Sequence, residues 1–393
     1  MMSAVYIVAA KRTPIGSILG SLSTVPATEL GAVAVKGAME QSGLSPEDIQ
    51  GIYFGNVISS NLGQAPITQV VLSAGLTEKI PATLVNKVCA SGMKAVQVAA
   101  SDIRLGDAHI LIAGGMESMS LTPFYAPKQR AGHKFGNIEL LDGLVRDGLM
   151  DVYDGSMMGT CGDMCAAEYN ITREDQDNFA IRSYKLALEA QEKGFTAEEI
   201  TPVVIKGRKG DITVDTDEEP GKVLFDKVPK LKPAFGKEGT VTAANASKLN
   251  DGACALILAS EEAVKQHNLK PLARIASYAD AARTPKWFTI APADAMPMAI
   301  QKAGLKQDDI DLFDINEAFS SVAIANQKIM GFDPEKLNVH GGAVALGHPL
   351  GASGARIIRT LMSALKARNA KYGCLGICNG GGGASAMVIE NLQ

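Results

Sequence analysis

Two cysteines, a histidine and an Asn-Glu pair stand out where the chain is poor in bulky side chains. Cys89 lies in LVNKVCASGMKAV, at the junction of an apolar run and a helical pattern. A helix N-terminus carries partial positive charge and free N–H groups. That setting predicts a thiol more acidic than the free side chain, whose pKa is ~8.5 and which is only ~3% thiolate at neutral pH. Ala90, Ser91 and Gly92 are small enough to let an acyl group approach. A buried core cysteine is the other reading of Cys89. Cys378 precedes Asn379 and four glycines, Gly380 to Gly383. Glycine backbone is the freest there is, and a folded enzyme keeps such a run where backbone must approach something closely. The Cys378 thiol is then either a reactive group beside backbone donors or a small hydrophobe beside a tight turn.

His348 sits in NVHGGAVALGHPLGASG. So few bulky neighbours explain it poorly as packing, and an imidazole that titrates near neutrality suits a base for a cysteine nucleophile. His340 is a second candidate, with a packed strand-end histidine as the simpler explanation. Asn316 and Glu317 follow the apolar run DLFDI. Asn316 could hold a water or donate to an oxyanion, and Glu317 could be a base or a paired buried carboxylate. Two polar residues at a buried strand end need partners in either case.

These residues must be positioned by a framework, and the pattern of apolar runs supplies one. IYFGNVI, HILIAGG, DLFDIN and CLGICNGG read as buried strands. Between them, TELGAVAVKGAMEQSG, CASGMKAVQVAASDIRLGD and GASGARIIRTLMSALKARN have helical spacing and end near Gly or Asn. Strand–helix alternation implies a mostly buried α/β sheet with helices on both faces. The chain also repeats itself. Gly43-Leu44-Ser45-Pro46-Glu47-Asp48-Ile49 is echoed by Gly304-Leu305-Lys306-Gln307-Asp308-Asp309-Ile310, and Cys89-Ala90-Ser91-Gly92 by Gly351-Ala352-Ser353-Gly354. The offsets are 261 and 262 residues, in the same order. Two homologous halves are expected, with an insertion between them. The stretch 121–249 breaks the rhythm. It holds one clear helix from Arg173, with Thr172 as its N-cap, and a basic run over 222–232 that is either a solvated loop or an anion site.

Composition limits the function classes. The 393 residues are 46% hydrophobic and 20% charged with net charge −4, so there is ample core, and nucleic acid is not an expected partner. No run reaches the ~18 consecutive apolar residues of a membrane span. Six dispersed cysteines argue for a reducing compartment and against a disulfide scaffold. The spacings Cys161/Cys165 and Cys374/Cys378 are not those of a zinc site. A cytoplasmic protein is expected, or a mitochondrial-matrix one if a presequence precedes this sequence.

Taken in order, VCASG, GTVTAANAS-LNDGA, NEAF, GGAVALGHPLGASG and CNGGGGASA resemble the thiolase family, over essentially the whole chain. The resemblance implies the thiolase fold, two duplicated βαβαβαββ halves in a five-layered αβαβα sandwich. Residues 1–120, continuing over about 250–270, would form one half and 271–393 the other. Residues 121–249 would form a loop domain for CoA binding and oligomerisation. It also implies a ping-pong Claisen condensation of acetyl-CoA and the reverse thiolysis. Cys89 would be the acyl carrier. His348 would activate it and form one oxyanion hole with a water on Asn316. Cys378 would be the second acid/base, and the N–H groups of Cys89 and Gly380 a second oxyanion hole.

For coenzyme A, a substrate rather than a bound cofactor, the resemblance points to Ser247, Phe319, Tyr184, Lys227, Lys222 and Met157. Met157 stands where many short-chain members have His, which bears on pocket polarity. Phe288-Thr289 stands where members that accept 2-methyl-branched substrates have Phe-Pro. Equivalents of Tyr184, Ala243, Ala244, Ala246 and Val344 hold potassium in animal mitochondrial-type members, so a potassium site is implied here. A homotetramer is implied too, through the loop at about 121–143. The alternatives are a broader-range 3-ketoacyl-CoA thiolase, a non-catalytic thiolase-like carrier, a ketoacyl synthase and a Cys–His hydrolase. Cys378 in its glycine loop disfavours the last two.

Overall fold

In the computed structural model, which describes residues 3–393, two long helices run through the middle of the molecule: Ser91–Leu105 and Leu350–Ala367. The second is buried from Leu350 through Leu365. A helix buried on every side belongs in a core layer, although this one carries the buried polar residues Ser353, Arg356 and Arg359. The two can touch because glycines stand at their crossing. A Cβ on Gly92 would lie 2.8 Å from the Gly351 carbonyl, and one on Gly354 would lie 2.3 Å from the Met93 nitrogen. Gly92 and Gly354 are the same position of the internal repeat, so the two copies of the motif pack on each other.

Each half-sheet covers one side of this helix pair. Strands Val5–Arg12, Asn250–Ser260, Ile110–Ser118, Ile52–Gly55 and Ala82–Val85 lie in that order on one side. Strands Ala273–Ala282, Gly383–Asn391, Tyr372–Asn379 and Leu312–Ile315 lie on the other. Helices Ala27–Ser42 and Pro66–Ser73 cover the first outer face, and Pro292–Lys302 and Ser320–Met330 the second. The result is a five-layered αβαβα sandwich. The two half-sheets are also hydrogen-bonded to each other at one corner, through Tyr6 with Arg274 and Ile7 with Ala273. The second half reduces the strand matching Ala82–Val85 to a single parallel bridge between Phe313 and Leu337.

The segment 121–249 adds helices Met158–Glu168 and Arg173–Glu192 and two short ribbons. Thr172 caps the second of these helices reciprocally with Asp175. A buried ion-pair cluster fastens this region to the first strand. Arg12 reaches Glu199 at 2.7 Å and grips Asp217 with both Nη atoms at 2.7 and 2.8 Å. The planar guanidinium suits a two-point grip on carboxylate.

Candidate active site

The loop Asn86–Ala90 delivers Cys89 under strain. Val88 takes φ 48°, a left-handed conformation that is costly for a β-branched residue. Its N–H donates to Asn86 Oδ1 at 3.0 Å, and its carbonyl accepts from Ser91 Oγ at 2.5 Å. Lys87 Nζ pairs with Asp280 at 2.6 Å and donates to Ser385 Oγ at 2.9 Å. The Cys89 loop is thereby tied to strand Gly383–Asn391 of the other half.

That strand follows the glycine run. Cys378 pairs with Ala384 and Asn379 with Gly383, so Gly380–Gly382 form the hairpin turn. Gly381 and Gly382 have φ of 86° and 95°. A Cβ on Gly382 would meet the Arg283 carbonyl at 2.1 Å. Glycine is required at those two positions, whereas at Gly380 a Cβ would meet nothing closer than 3.6 Å. The backbone N–H groups of Gly380 and of Cys89 itself favour the Cys89 thiolate.

Burial nonetheless pushes the Cys89 thiol up to about 11, against the two N–H groups that favour the thiolate. The expected acidic thiol is therefore corrected. Helix Ser91–Leu105 is preceded by Ala90 as its N-cap, which leaves Cys89 outside the first turn, where the dipole is felt most. Cys378 is buried and its thiol is also pushed well up by burial, with the Cys89 charge adding to the effect.

On the opposite side, a hydrogen-bond chain fixes His348. Arg356 Nη2 donates to Asn316 Oδ1 at 3.3 Å, which turns the Asn316 Nδ2 toward His348 Nε2, 3.5 Å away. A donor facing Nε2 leaves the imidazole proton on Nδ1, from which it is donated to Ser353 Oγ at 2.6 Å. Ser353 donates in turn to the Pro349 carbonyl at 2.9 Å. Nε2 is thus the basic nitrogen. Burial, with the Arg356 charge behind it, lowers His348 to about 3, so the ring is neutral at rest. The His348 N–H donates to Asn250 Oδ1 at 2.9 Å, and Gly347, at φ 105°, leaves room for the Asn250 side chain.

His348 lines a cavity of about 460 Å³ together with Phe319, Ser247, Met157, Ala243 and Ala246. Met119 and Leu350, also in its wall, belong to the cluster against which Cys89 packs. A second cavity of about 210 Å³ adjoins it, sharing Glu219, Ala243 and Lys248. It is lined by Tyr184, Lys222, Lys227 and Ala244. Lys222 is paired with Glu218 at 2.6 Å and donates to Ser17 at 2.7 Å, whereas Lys227 is exposed. Glu317 is structural in its contacts: it accepts from Ser183, Asn338 and the Val344 N–H. His340 stacks on Phe195 with centroids 4.9 Å apart, as a packed histidine should.

The potassium expectation meets an obstacle. Its residues do converge, but Lys248 Nζ donates to the Ala246 carbonyl at 2.8 Å and the Val344 carbonyl at 3.4 Å. A lysine ammonium stands where a free cation would have to bind, so the residues present do not fit potassium. The sequence alone assigned no role in the site to Lys248, Arg356, Asn250 or, beyond its place in the repeat, Ser353. For Lys248 the signal was available: a lone cation ending the run of small residues AANAS.

The thiolase N-terminal domain model matches residues 5–262 and the thiolase C-terminal domain model residues 269–391. A protein of Dictyostelium discoideum called a probable acetyl-CoA acetyltransferase is 57% identical over 392 residues, covering 100% of this chain and 95% of its own. A cytosolic acetyl-CoA acetyltransferase of Gibberella zeae is 53% identical over 391 residues, covering 99% and 98%. The crystal structure of a thiolase from Ascaris suum in complex with coenzyme A superposes with a TM-score of 0.93 at 44% identity, covering 99% of this chain and 100% of that one.

Proposed function

Because the chain belongs to the thiolase family, we propose that it condenses two acetyl-CoA into acetoacetyl-CoA and CoA, and runs the reverse thiolysis, through an acetyl-Cys89 intermediate. The observation that carries this reading is that Cys89 packs against Met119 and Leu350 in the wall of the cavity that His348 lines, while its loop is tied through Lys87 and Ser385 to the hairpin that holds Cys378 and the glycine turn.

Cys89 gives its proton to His348 Nε2 as sulfur attacks the thioester carbonyl. The carbonyl electrons move to oxygen, then return to expel the CoA thiolate, which takes the proton of Cys378 and leaves that sulfur as the thiolate, while His348 keeps the Cys89 proton. In the second half-reaction, Cys378 removes a proton from the methyl carbon of a second acetyl-CoA. Its enolate oxygen is held by His348 and a water on Asn316. The carbanion attacks acetyl-Cys89, whose oxygen is held by the N–H groups of Cys89 and Gly380. That attack forms the C–C bond; collapse of the tetrahedral adduct breaks the C–S bond, and the released Cys89 thiolate takes its proton back from His348 Nε2. Losing one such preorganised donor costs ~10²–10³ in rate.

Both thiols are neutral at rest, so each must be deprotonated at the moment of reaction, which suits a site with two separate bases. The cavity holding Ser247, Phe319 and Met157 is read as the pantetheine and acyl channel, and its neighbour with Tyr184, Lys222 and Lys227 as the approach for the nucleotide end of CoA. A dimer of dimers is the proposed assembly, using the ribbon Phe124–Tyr125 with Leu141–Asp142, beyond which Phe135 is almost wholly exposed. A cytosolic location is proposed from the Gibberella zeae relative. The domain boundaries proposed are 1–120 with about 250–270, 121–249, and 271–393.

The test follows loss of the acetoacetyl-CoA enolate absorbance on adding CoA. Acetyl-CoA should label Cys89, and Cys378→Ala should still acylate without completing condensation. CoA binding without thiolysis would favour a carrier, and label retained in Cys89→Ser would overturn the assignment of the nucleophile.

A further inference from the structure

Lys248 is an unusual neighbour for a substrate channel. Its side chain is partly buried and forms no ion pair within 4 Å among the described residues. Its ammonium is instead held by backbone carbonyls and an aromatic face. Two N–H groups point to Ala246 O and Val344 O, and Nζ lies 5.6 Å from the centre of the Tyr184 ring. Carbonyl dipoles and a ring face form the environment that a desolvated monovalent cation selects.

The two carbonyls belong to different parts of the site. Ala246 precedes Ser247, whose N–H donates to Ala318 O at 3.0 Å beside Phe319. Val344 is in the short helix Ala343–Leu346 that leads through Gly347 to His348. The Val344 N–H is held at 3.0 Å by the buried Glu317 carboxylate. The ammonium therefore clips the channel-lining loop to the segment that aims the imidazole, and both carbonyls need such a partner where they are buried.

We propose that the Lys248 ammonium is a tethered monovalent cation that takes the place of a free potassium ion in this cradle, so that the site is assembled without a potassium requirement. A free ion in contact with the same carbonyls would have to share the position of Nζ, and two like charges cannot do so. Removing the side chain leaves two carbonyls and a ring facing an opening that a cation of ammonium size fills. Potassium matches ammonium in size, whereas sodium requires shorter contacts. The effect on CoA rests on the reading of Ser247 as a channel residue; the effect on thermal stability does not.

The experiment compares wild type, Lys248→Ala and Lys248→Met in KCl, NaCl and choline chloride at equal ionic strength, reading the thermal midpoint and the KM for CoA. Wild type should give the same midpoint and KM in all three salts. Lys248→Ala in choline should melt earlier, with KM raised about tenfold, the equivalent of one lost polar contact. KCl should restore both values, and NaCl less well. Lys248→Met, which fills the opening without charge, should be impaired in every salt. A potassium-selective rise in the wild-type midpoint would overturn the proposal even if Lys248→Ala failed to fold. So would a Lys248→Ala protein as indifferent to the three salts as wild type. Loss of potassium rescue in KM alone, with rescue of the midpoint intact, would keep the cation site and remove the channel reading.

Discussion

Alkylation of the resting protein by iodoacetamide should accelerate about tenfold per pH unit from neutrality upward, because thiolate is the reacting species. Burial places the Cys89 thiol at about 11. At that value only ~10⁻⁴ of it is thiolate at pH 7, some two orders of magnitude below a free cysteine. His348, held at about 3, has no proton to lose between pH 5 and 8, so it contributes no inflection there. The rate should therefore rise without a plateau until pH approaches 11, and the peptide containing half-buried Cys89 should carry the label before the one containing Cys378, which is fully buried. Peptide-resolved mass spectrometry across the pH series, with Cys89→Ser as the blank, reads both features. A plateau between pH 6 and 8 would mean a resting thiolate–imidazolium pair, and the account of two neutral groups that exchange a proton only when substrate arrives would be wrong. Earlier labelling of Cys378 would refute the order of burial.

The glycine turn allows a paired test: Gly380→Ala should fold and retain thiolysis, since its N–H remains and the added methyl has room, whereas Gly382→Ala should lose roughly 1–3 kcal/mol of stability from its left-handed backbone, and activity with it. Thermal melts with thiolysis rates check the pair, and a harmless Gly382→Ala would contradict it. Arg12→Met strands the buried carboxylates of Glu199 and Asp217 and should cost about 3–5 kcal/mol in chemical denaturation, whereas Asp217→Ala, which leaves Arg12 its bond to Glu199, should cost less. Buried thiols also predict alkaline sensitivity. Cys161 and Cys165 are pushed by burial to about 11 and Cys254 to about 12. Above ~8.5 the unfolded chain releases thiol protons that the folded chain keeps, so stability should fall as pH rises toward 11, by up to about 1.4 kcal/mol per unit for each thiol. A denaturation midpoint unchanged between pH 8.5 and 10 would count against this.

Much of this architecture was legible because local patterns and tertiary demands agree. The apolar runs around Ile52, Ile110, Leu312 and Leu375 became strands, and Thr172 capped the helix its sequence announces. The failures arose where distant parts of the chain decide. The acidity of Cys89 was argued from a neighbouring helix start, but the helix begins two residues later and packing against both halves leaves the cysteine half-buried. The proton position on His348 depends on Arg356, through Asn316, and neither partner is recognisable from the histidine's own segment. Lys248 finds one of its carbonyls 96 residues away. The join between half-sheets at Ile7 and Ala273 involves only two residue pairs, too few to leave a pattern.

The internal repeat places Cys89 and His348, the proposed nucleophile and base, in corresponding loops of the two halves. At the repeat offset, Cys89 corresponds to Gly351, Asn86 to His348 and Ser91 to Ser353. Each half thus brings the loop before its central helix to the shared middle layer. A second nucleophile is sterically excluded at Gly351. A Cβ there would lie 2.5 Å from the Met116 carbonyl and 2.7 Å from Asn56 Cα, and the Gly351 N–H is taken by Glu117 at 2.8 Å. Ser91 keeps its proton on the local carbonyl of Val88, whereas Ser353 accepts from the imidazole. The same small helix-start motif therefore shapes a strained turn under a thiol in one half and supports a base in the other. Close glycine packing at the helix crossing, rather than any long-range field, is what sets the two loops in reach of a common substrate.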